Sequence, residues 1–291
     1  MLITIGIPVW NGERFLEEAV RSALAQTHSD LEVLISDNGS TDRTPELCAR
    51  LSALDARVRV LRSESNLGAT ANFNGLVHEA RGEFFWWLPH DDRLRPEAVS
   101  SCLRVLTEHP EVLSCHPRTQ AIDAEGQPTT ARSRPVDLRS PSPALRLGRF
   151  LIKHSKCDGV LGLHRLAGLR ETGLIRPYRG GDEVLYAELA LRGPVWEHRE
   201  ALFERRVHEG SSLAQGKAAD EVTAWFDPAA QIEIRDVGRF LRARFLETIT
   251  SLELAPAQSA LARLEVWRWW CVRGLRIRRK MLRDAWRRMG A

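Results

Sequence analysis

The sequence predicts an α/β fold built on a mainly parallel, twisted sheet flanked by helices, with a helical extension at the C-terminal end. In the first 115 residues, short apolar runs of strand length alternate with segments of helical periodicity. Such alternation is typical of βαβ units and therefore of a parallel sheet. Two acidic, polar clusters directly follow two of the apolar runs.

Composition narrows the class of protein. A chain of 291 residues can form one large α/β domain or two smaller ones, and its 27% charged residues are ordinary for a soluble protein. The five cysteines are scattered without a CxxC pair, which argues against a disulfide framework or zinc cage and favours a reducing cytoplasm. The N-terminal run reads as a strand rather than a signal peptide, and no segment approaches membrane-spanning length.

The elements follow one another in a regular order. The apolar run 2–9 is of strand length, and residues 11–27 place apolar side chains on one helical face after Asn11 as the N-cap. Thr44 followed by Pro45, a cap and a first-turn proline, begins the next helix. The same patterns predict further strands over 31–36, 58–63, 83–89 and 111–116, and helices over 45–54, 69–80 and 96–109.

Beyond Ala121 the pattern is less regular. Residues 123–143 are polar and rich in turn formers, which predicts a linker or mobile loop. Residues 150–175 predict a helix, a short strand and another helix, and residues 180–193 predict a capped helix. From Lys217 onward we expect mostly helix.

The two acidic clusters should lie on one rim of the sheet. Asp37 to Asp42 follows the second strand, and His90 to Asp92 follows the fourth. Ligands of parallel α/β sheets bind beyond the carboxyl ends of the strands. Either cluster alone would be an ordinary turn, because Asp, Asn, Gly and Ser are common turn formers. Their joint placement favours a binding site.

Three stretches carry a family resemblance: "IPVWNGERFLEEAVRSALAQTHSDLEVLISDNGSTDRT", "NLGATANFNG" and "ARGEFFWWLPHDDRLRPEAV". In order and spacing they resemble the nucleotide-sugar half of glycosyltransferase family 2, inverting enzymes with the Rossmann-like GT-A fold. The resemblance is close from Leu2 to about Val112 and looser to about Leu213. It implies a sugar-transferring enzyme with a nucleotide-sugar-binding half over 1–115, an acceptor and catalytic-base half over 116–215, and a basic helical extension over 216–291.

The resemblance also implies a nucleotide site. Pro8 and Asp37 match positions that line the nucleobase and ribose, where a carboxylate accepts hydrogen bonds from N–H or hydroxyl groups. The implied nucleotide-binding residues are Pro8, Trp10, Asn11, Asp37, Asn38, Asp42, Asn66, Gly68, Asn74 and Asp91.

Asp91 and Asp92 match the metal loop of the family, whose carboxylates hold Mg²⁺ or Mn²⁺ against the diphosphate. The metal would neutralise charge on the departing nucleoside diphosphate. His208 is expected to add a metal ligand or contact the diphosphate. Arg205 and Arg206 beside it are candidates for binding phosphate.

The stretch "GGDEVLYAELALRG" resembles the acceptor-side motif of the family and places Asp182 at the position of the catalytic base. In the implied mechanism Asp182 deprotonates an acceptor hydroxyl, which attacks the anomeric carbon and inverts it. A buried setting would raise its pKa toward a useful value. The alternative is that Asp182 only caps a helix.

Several positions depart from the family pattern. Asn38 replaces the second Asp of the nucleotide motif, Trp10 replaces a Tyr, and Pro89 stands where the metal loop usually has its first Asp. Asn72–Asn74 reads "NFN" where an Arg-Asn pair is more usual. One carboxylate is therefore missing from the metal loop, and the nucleobase of the donor is left open.

The expected function is transfer from a UDP-sugar, with dTDP- and GDP-sugars open, to a saccharide or lipid-linked acceptor in cell-envelope polysaccharide or glycolipid synthesis. A nucleotidyltransferase is disfavoured because no Gly-rich, Lys-bearing phosphate loop is present. A non-catalytic nucleotide-sugar-binding or scaffold protein is the second interpretation.

The C-terminal tail is strongly basic. Residues 263–291 hold ten Lys or Arg against two Asp or Glu, a net +8, whereas the rest of the chain carries a net −4. An apolar helical stripe runs through Leu264, Trp267, Cys271, Leu275, Leu282, Trp286 and Met289. The stripe fits peripheral contact with the inner face of the cell membrane as well as it fits packing on the catalytic body. Nucleic acid is not expected, because the acidic body would repel phosphate.

Overall fold

The computed structural model describes residues 1–132, 135–153, 158–210, 225–229, 234 and 236–289. The strands are β1 (Ile3–Val9), β2 (Leu31–Asp37), β3 (Val58–Arg62), β4 (Phe84–Trp87), β5 (Arg93–Leu94), β6 (Ser114–Ile122), β7 (Pro128–Arg132), β8 (Leu163–Arg165) and β9 (Val195–Arg206). The helices are α1 (Leu16–Leu24), α2 (Thr44–Leu54), α3 (Ala69–Glu79), α4 (Ala98–Glu108), α5 (Pro143–Lys153), α6 (Leu166–Arg170), α7 (Gly181–Arg192), α8 (Val237–Ser251) and α9 (Pro256–Met289).

One sheet joins the strands in the order β3-β2-β1-β4-β8-β6-β9-β5, with β7 added on β6. The block from β3 to β4 is parallel, and β8 then runs antiparallel to β4 and β6. The α/β fold class and the helical extension are therefore confirmed. The boundary predicted between residues 115 and 116 falls inside β6, so the division into halves stays a prediction.

Apolar cores cover both faces of the sheet, which is why β1 and β2 read as continuous apolar runs. Ile5 and Ile35 point into the core beneath α1, α2 and α4. Leu34 and Trp87 point into the other core, which α3, α5 and α7 to α9 complete. Successive residues of a strand face opposite sides, so β2 and β4 contribute side chains to both cores.

The prediction of a linker over residues 123–143 is wrong for Pro128–Arg132, which forms β7. This strand pairs antiparallel with β6 across a turn in which Asp123 Oδ1 accepts from the backbone N–H groups of Glu125 and Gln127. Gly126 adopts a φ of 81° in that turn. The residues of β7 as far as Thr130 are exposed, so the strand lacks the apolar alternation by which strands are recognised.

The prediction of Asn11 as a helix N-cap is also wrong. Helix α1 begins at Leu16, and Asn11 lies in the preceding loop with a φ of 52°. Its side-chain oxygen accepts from the backbone N–H of Thr41 at 2.9 Å, and its own N–H donates to Ser40 Oγ at 2.9 Å. Asn11 therefore ties the loop after β1 to the loop after β2, a contact between distant residues that local pattern does not reveal.

The C-terminal helices extend the core beside α5 and α7. Ala262, Val266 and Trp269 of α9 are buried, and the Trp269 ring meets the Phe245 ring of α8 edge-on, with centroids 5.4 Å apart. Within the described residues, no helix is long and apolar enough to cross a membrane.

Candidate active site

The carboxyl ends of β1, β2 and β4 meet at one edge of the sheet. β1 pairs with β2 on one side and β4 on the other, at the point where strand order reverses, which is where ligands bind in open α/β sheets. Asp37 ends β2, and His90 lies in the loop after β4. A Cβ added at Gly12, after β1, would lie 2.6 Å from the His90 ring. The loops after the three strands are therefore in contact.

One carboxylate oxygen of Asp37 at this edge is ion-paired but has no hydrogen bond within the described residues. Its side chain is buried, with 1% exposed. Oδ1 accepts from the Ser40 backbone N–H at 3.0 Å, whereas Oδ2 has no hydrogen bond within the described residues and faces the Arg62 guanidinium at 3.4 Å. Buried carboxylate oxygens normally have a partner, so Oδ2 is suited to accept a ligand hydroxyl or N–H.

Asn38 holds the loop that follows β3. Its Nδ2 donates to Asn66 Oδ1 at 2.9 Å and to the Gly68 carbonyl at 3.2 Å, and its Oδ1 accepts from the Leu67 N–H at 3.0 Å. An aspartate could not donate the first two bonds. The departure of Asn38 from the family pattern therefore has a physical reason, since this loop needs an amide.

Gly68 allows residues 225–229 to approach the loop after β3 closely. Its φ is 86°, and an added Cβ would lie 2.6 Å from the Phe226 carbonyl and 2.7 Å from Pro228. Residues 225–229 therefore lie against the predicted nucleotide loop, which no sequence motif indicates.

Other predicted nucleotide-binding residues lie at the same edge of the sheet. Asp42 accepts from the backbone N–H groups of Thr44 at 2.9 Å and Glu13 at 3.1 Å. Burial works to raise the pKa of Asp42, but these hydrogen bonds outweigh it and the pKa lies below its ordinary value. Trp10 is exposed beside the rim, and Pro8 is buried in β1.

Asn74 connects the predicted nucleotide side to the predicted acceptor side. Its amide donates to the Ile175 carbonyl at 2.9 Å and accepts from the Ile175 N–H at 3.1 Å. These bonds fasten α3 to the loop that precedes α7. A direct contact of Asn74 with nucleotide stays a prediction.

Asp91 and His208, the predicted metal ligands, lie in direct contact. His208 Nε2 lies 3.0 Å from Asp91 Oδ2, and its ring packs on Phe15 with centroids 4.9 Å apart. Burial works to raise the pKa of Asp91, but the His208 hydrogen bond and the nearby His90 outweigh it, and the pKa lies below its ordinary value. Asp91 is thus an ionised carboxylate beside an imidazole.

The Asp92 side chain is hydrogen-bonded to the backbone of β9. It is buried, and its Oδ1 accepts from the Arg206 backbone N–H at 2.8 Å. Burial and the Asp91 charge hold the pKa of Asp92 well above its ordinary value. Among residues with a described placement, no three metal-ligating side chains converge. Mg²⁺ and Mn²⁺ fit a pair, because such ions are often held by one or two carboxylates plus substrate phosphates. A metal-binding role for Asp92 stays a prediction.

Arg206 fastens the metal loop from inside, a role that sequence reasoning missed. Its side chain is 1% exposed, and the guanidinium donates to the carbonyls of Asp91 at 2.9 Å, Ala124 at 2.9 Å and Asp123 at 3.3 Å. It also pairs with Glu18 of α1. Because these donors point into the protein, the expectation that Arg206 binds phosphate finds no support in this arrangement.

Asp182 lies in the first turn of α7, partly buried, beside Glu183. The residue at the N-cap position is Gly180, with a φ of 87° and no side-chain cap, so the alternative that Asp182 caps the helix is wrong. Burial, and then the Asp182 charge, raise the pKa of Glu183 to about 7, while Arg273 and Arg179 oppose the rise. Two adjacent acids, one of them with a raised pKa, therefore lie at the predicted acceptor end of α7.

The α/β fold, with its acidic loops at the carboxyl edge of the parallel strands, is the fold of GT-A glycosyltransferases, as comparison with solved structures shows. The family model described as "Glycosyl transferase family 2" matches residues 4–167, and the chain belongs to this family.

Relatives in sequence include synthases and glycosyltransferases. A chondroitin synthase of Pasteurella multocida is 34% identical over 125 residues, which are 43% of this chain and 13% of that protein. An uncharacterised glycosyltransferase of Rickettsia typhi is 33% identical over 216 residues, or 72% of this chain and 65% of the relative. The chain thus spans less than two thirds of the length of either protein.

Solved structures share the fold at low identity. TarS 1-349 of S. aureus in complex with UDP-GlcNAc superposes with a TM-score of 0.65 at 17% identity, covering 92% of this chain and 72% of TarS 1-349. The mannosyltransferase PcManGT of Pyrobaculum calidifontis, in complex with GDP-Man and Mn²⁺, gives a TM-score of 0.59 at 15% identity, covering 91% and 69%.

Proposed function

We propose that the protein transfers a sugar from a nucleoside-diphosphate sugar to a hydroxyl acceptor with inversion at the anomeric carbon. The observation that carries the proposal is one edge of the sheet, where an Asp37 oxygen without a hydrogen bond follows β2 and the Asp91–His208 pair lies beyond β4, with β1 between these two parallel strands. A UDP-sugar is the favoured donor, supported by the UDP-GlcNAc bound to TarS, and a GDP-sugar is the alternative, because PcManGT holds GDP-Man.

In this proposal Asp37 Oδ2 accepts a hydrogen bond from the nucleoside, and Asp91 and His208 hold Mg²⁺ or Mn²⁺ against the diphosphate. The bound metal would supply positive charge where negative charge grows on the leaving nucleoside diphosphate. Arg206 keeps the backbone of Asp91 in place, and Phe15 fixes the orientation of the His208 ring.

Asp182 is the proposed base that takes the proton of the acceptor hydroxyl. Burial holds the pKa of its neighbour Glu183 at about 7. Below that pH the Glu183 carboxyl is mostly neutral, which reduces the negative charge beside Asp182. The bonds between Asn74 and Ile175 keep this acceptor side fixed to the donor side.

The proposal extends to the setting of the reaction. The acceptor is a saccharide or lipid-linked hydroxyl compound in cell-envelope polysaccharide or glycolipid synthesis, at the cytoplasmic face of the membrane. Residues 1–115 would bind the donor, 116–215 the acceptor, and 216–291 would form the basic extension.

A second candidate is a nucleotide-sugar-binding protein without turnover. It is favoured by Pro89 in place of a metal-loop carboxylate and by the burial of Asp92, which leave one carboxylate and one imidazole at the metal position.

Thermal unfolding with UDP, GDP and dTDP and their sugars, each with and without Mn²⁺, tests the proposed donor site. We expect one nucleotide to raise the unfolding temperature and Mn²⁺ to increase that rise. Indifference to every nucleotide would contradict the proposal. Asp182→Asn then separates the two candidates: an enzyme should keep donor binding and lose sugar release from the donor, whereas a binding protein has no release to lose.

A further inference from the structure

Helix α9 has two apolar faces, and only one of them packs on the protein. The inward face carries Ala262, Val266 and Trp269, spaced four and three residues apart, and all three are buried. This face contacts α5 and α8 in the core that contains Leu34 and Trp87. The packing that the sequence left open is therefore present, but it uses residues other than the predicted stripe.

The predicted stripe lies on the outward face. Leu264 is 54% exposed, Trp267 56% and Leu275 56%, and Cys271 between them is partly exposed. Positions 264, 267, 271 and 275 follow one another at helical spacing, so they form one continuous stripe along α9. In the described part of the chain, nothing covers it. The predicted stripe continues through Leu282, Trp286 and Met289, of which the structure describes the helical backbone but not the side chains.

Basic residues border the stripe. Arg263, Arg268 and Arg279 are exposed on its two sides. Residues 263–291 carry a net +8, against a net −4 for the remainder of the chain. An apolar stripe with Trp and flanking Arg matches an anionic lipid surface, because basic residues near the headgroups are attracted to the lipid phosphates. Pairing of two copies through the same face would bring these like charges together and is disfavoured.

We propose that the outward face of α9 lies on the surface of an anionic lipid membrane, with Leu264, Trp267 and Leu275 inserted among the headgroups and the arginines beside them contacting lipid phosphate. The binding itself needs no nucleotide. Only the consequence that the lipid surface presents the acceptor rests on the proposed function.

The same helix carries a charge that acts on the start of α7. Arg273 of α9 lies against α8, where a Cβ added at Gly238 would be 2.5 Å from Arg273 Nε. The Arg273 charge opposes the rise in the pKa of Glu183, the neighbour of Asp182. Contact of α9 with lipid would therefore occur on a helix whose charge acts on the predicted acceptor site.

Vesicle co-sedimentation of the full chain without nucleotide tests the inference. The vesicles contain phosphatidylcholine alone or mixed in roughly equal amounts with phosphatidylglycerol. We expect binding to the mixed vesicles, little to phosphatidylcholine alone, and a tenfold or greater loss for the double variant Trp267→Ser with Leu275→Ser. Leu54→Ser is the matched control, because Leu54 is 69% exposed at the end of α2 and should bind like wild type.

The double variant should unfold at the wild-type temperature, because both side chains are exposed, and this separates loss of binding from loss of fold. Wild-type protein that stays in the supernatant with mixed vesicles would overturn the inference, as would a double variant that binds fully. A wild-type dimer that the double variant converts to a monomer would assign the face to a second copy of the chain instead. Failure of the nucleotide panel with intact vesicle binding would count against the donor chemistry alone.

Discussion

Replacing Arg206 with methionine should destabilise the protein at the metal loop. The Arg206 guanidinium is enclosed between β9, the metal loop and α1, where it donates to three backbone carbonyls and pairs with Glu18. Its centre also lies 4.6 Å from the Phe15 ring. Methionine has a similar length and fills much of the same space, but it offers no donors.

The size of the expected loss of stability follows from the carbonyl groups that lose their hydrogen-bond donor. Each buried carbonyl that loses its partner costs about 1–3 kcal/mol, and water that enters the site recovers part of this. Glu18 is partly exposed and can be hydrated, so it adds little. We therefore expect Arg206→Met to lower the free energy of unfolding by about 3 kcal/mol, which in a chain of this size lowers the unfolding temperature by roughly 5 °C.

Thermal and urea unfolding measure this loss, with Arg199→Met as control. Arg199 is an exposed residue of the same strand, and its replacement should change stability by no more than about 0.5 kcal/mol. Mn²⁺ binding in the presence of UDP, followed by electron paramagnetic resonance, should also weaken for Arg206→Met and not for Arg199→Met. Equal stability of the two variants would refute the view that Arg206 fastens the metal loop.

Three further predictions concern neighbouring loops and the acceptor side. Asn38→Asp removes two donated hydrogen bonds and buries a charge, so urea unfolding should show a loss of about 2 kcal/mol or more; an unchanged midpoint would contradict the role of the amide. Gly68→Ala should lower the unfolding temperature, because alanine is strained at a φ of 86° and meets the Phe226 carbonyl; a neutral result would mean that residues 225–229 do not lie there. For Glu183 the folded pKa of about 7 exceeds the ordinary 4.5, so its ionisation costs stability as pH rises between these values. Glu183→Gln should therefore gain stability relative to wild type from pH 5 to pH 8, and a pH-independent difference between the two unfolding curves would contradict the raised pKa.

The sequence predicts the first half of the fold well, because strands buried on both faces and amphipathic helices leave clear periods. Strand β7 escapes this reasoning, since its exposed residues show no alternation and its place depends on pairing with β6. The prediction of Asn11 as a helix N-cap is wrong for a related reason, because its partners, Ser40 and Thr41, come from a loop that follows another strand.

The candidate site was predictable only in part. Motif order brings Asp37 and Asp91 to one rim, because parallel strands end at the same edge. The order of the motifs along the chain does not determine where each side chain points. Asp92 turns toward the Arg206 backbone, and Arg206 turns inward rather than toward phosphate. In α9 two apolar faces share one helix, and sequence period alone does not say which of them the core covers.

In the proposed donor site the Asp91–His208 pair and Asp37 contribute separately to donor binding, and one measurement tests the contribution of the metal pair directly. Calorimetric titration of UDP into wild type and Asp91→Asn, each with and without Mn²⁺, is that measurement. We predict that Mn²⁺ tightens UDP binding to wild type, whereas Asp91→Asn keeps the metal-free affinity, which depends on Asp37, and loses the gain from Mn²⁺. A full Mn²⁺ effect in Asp91→Asn, or no nucleotide binding by wild type, would contradict the account.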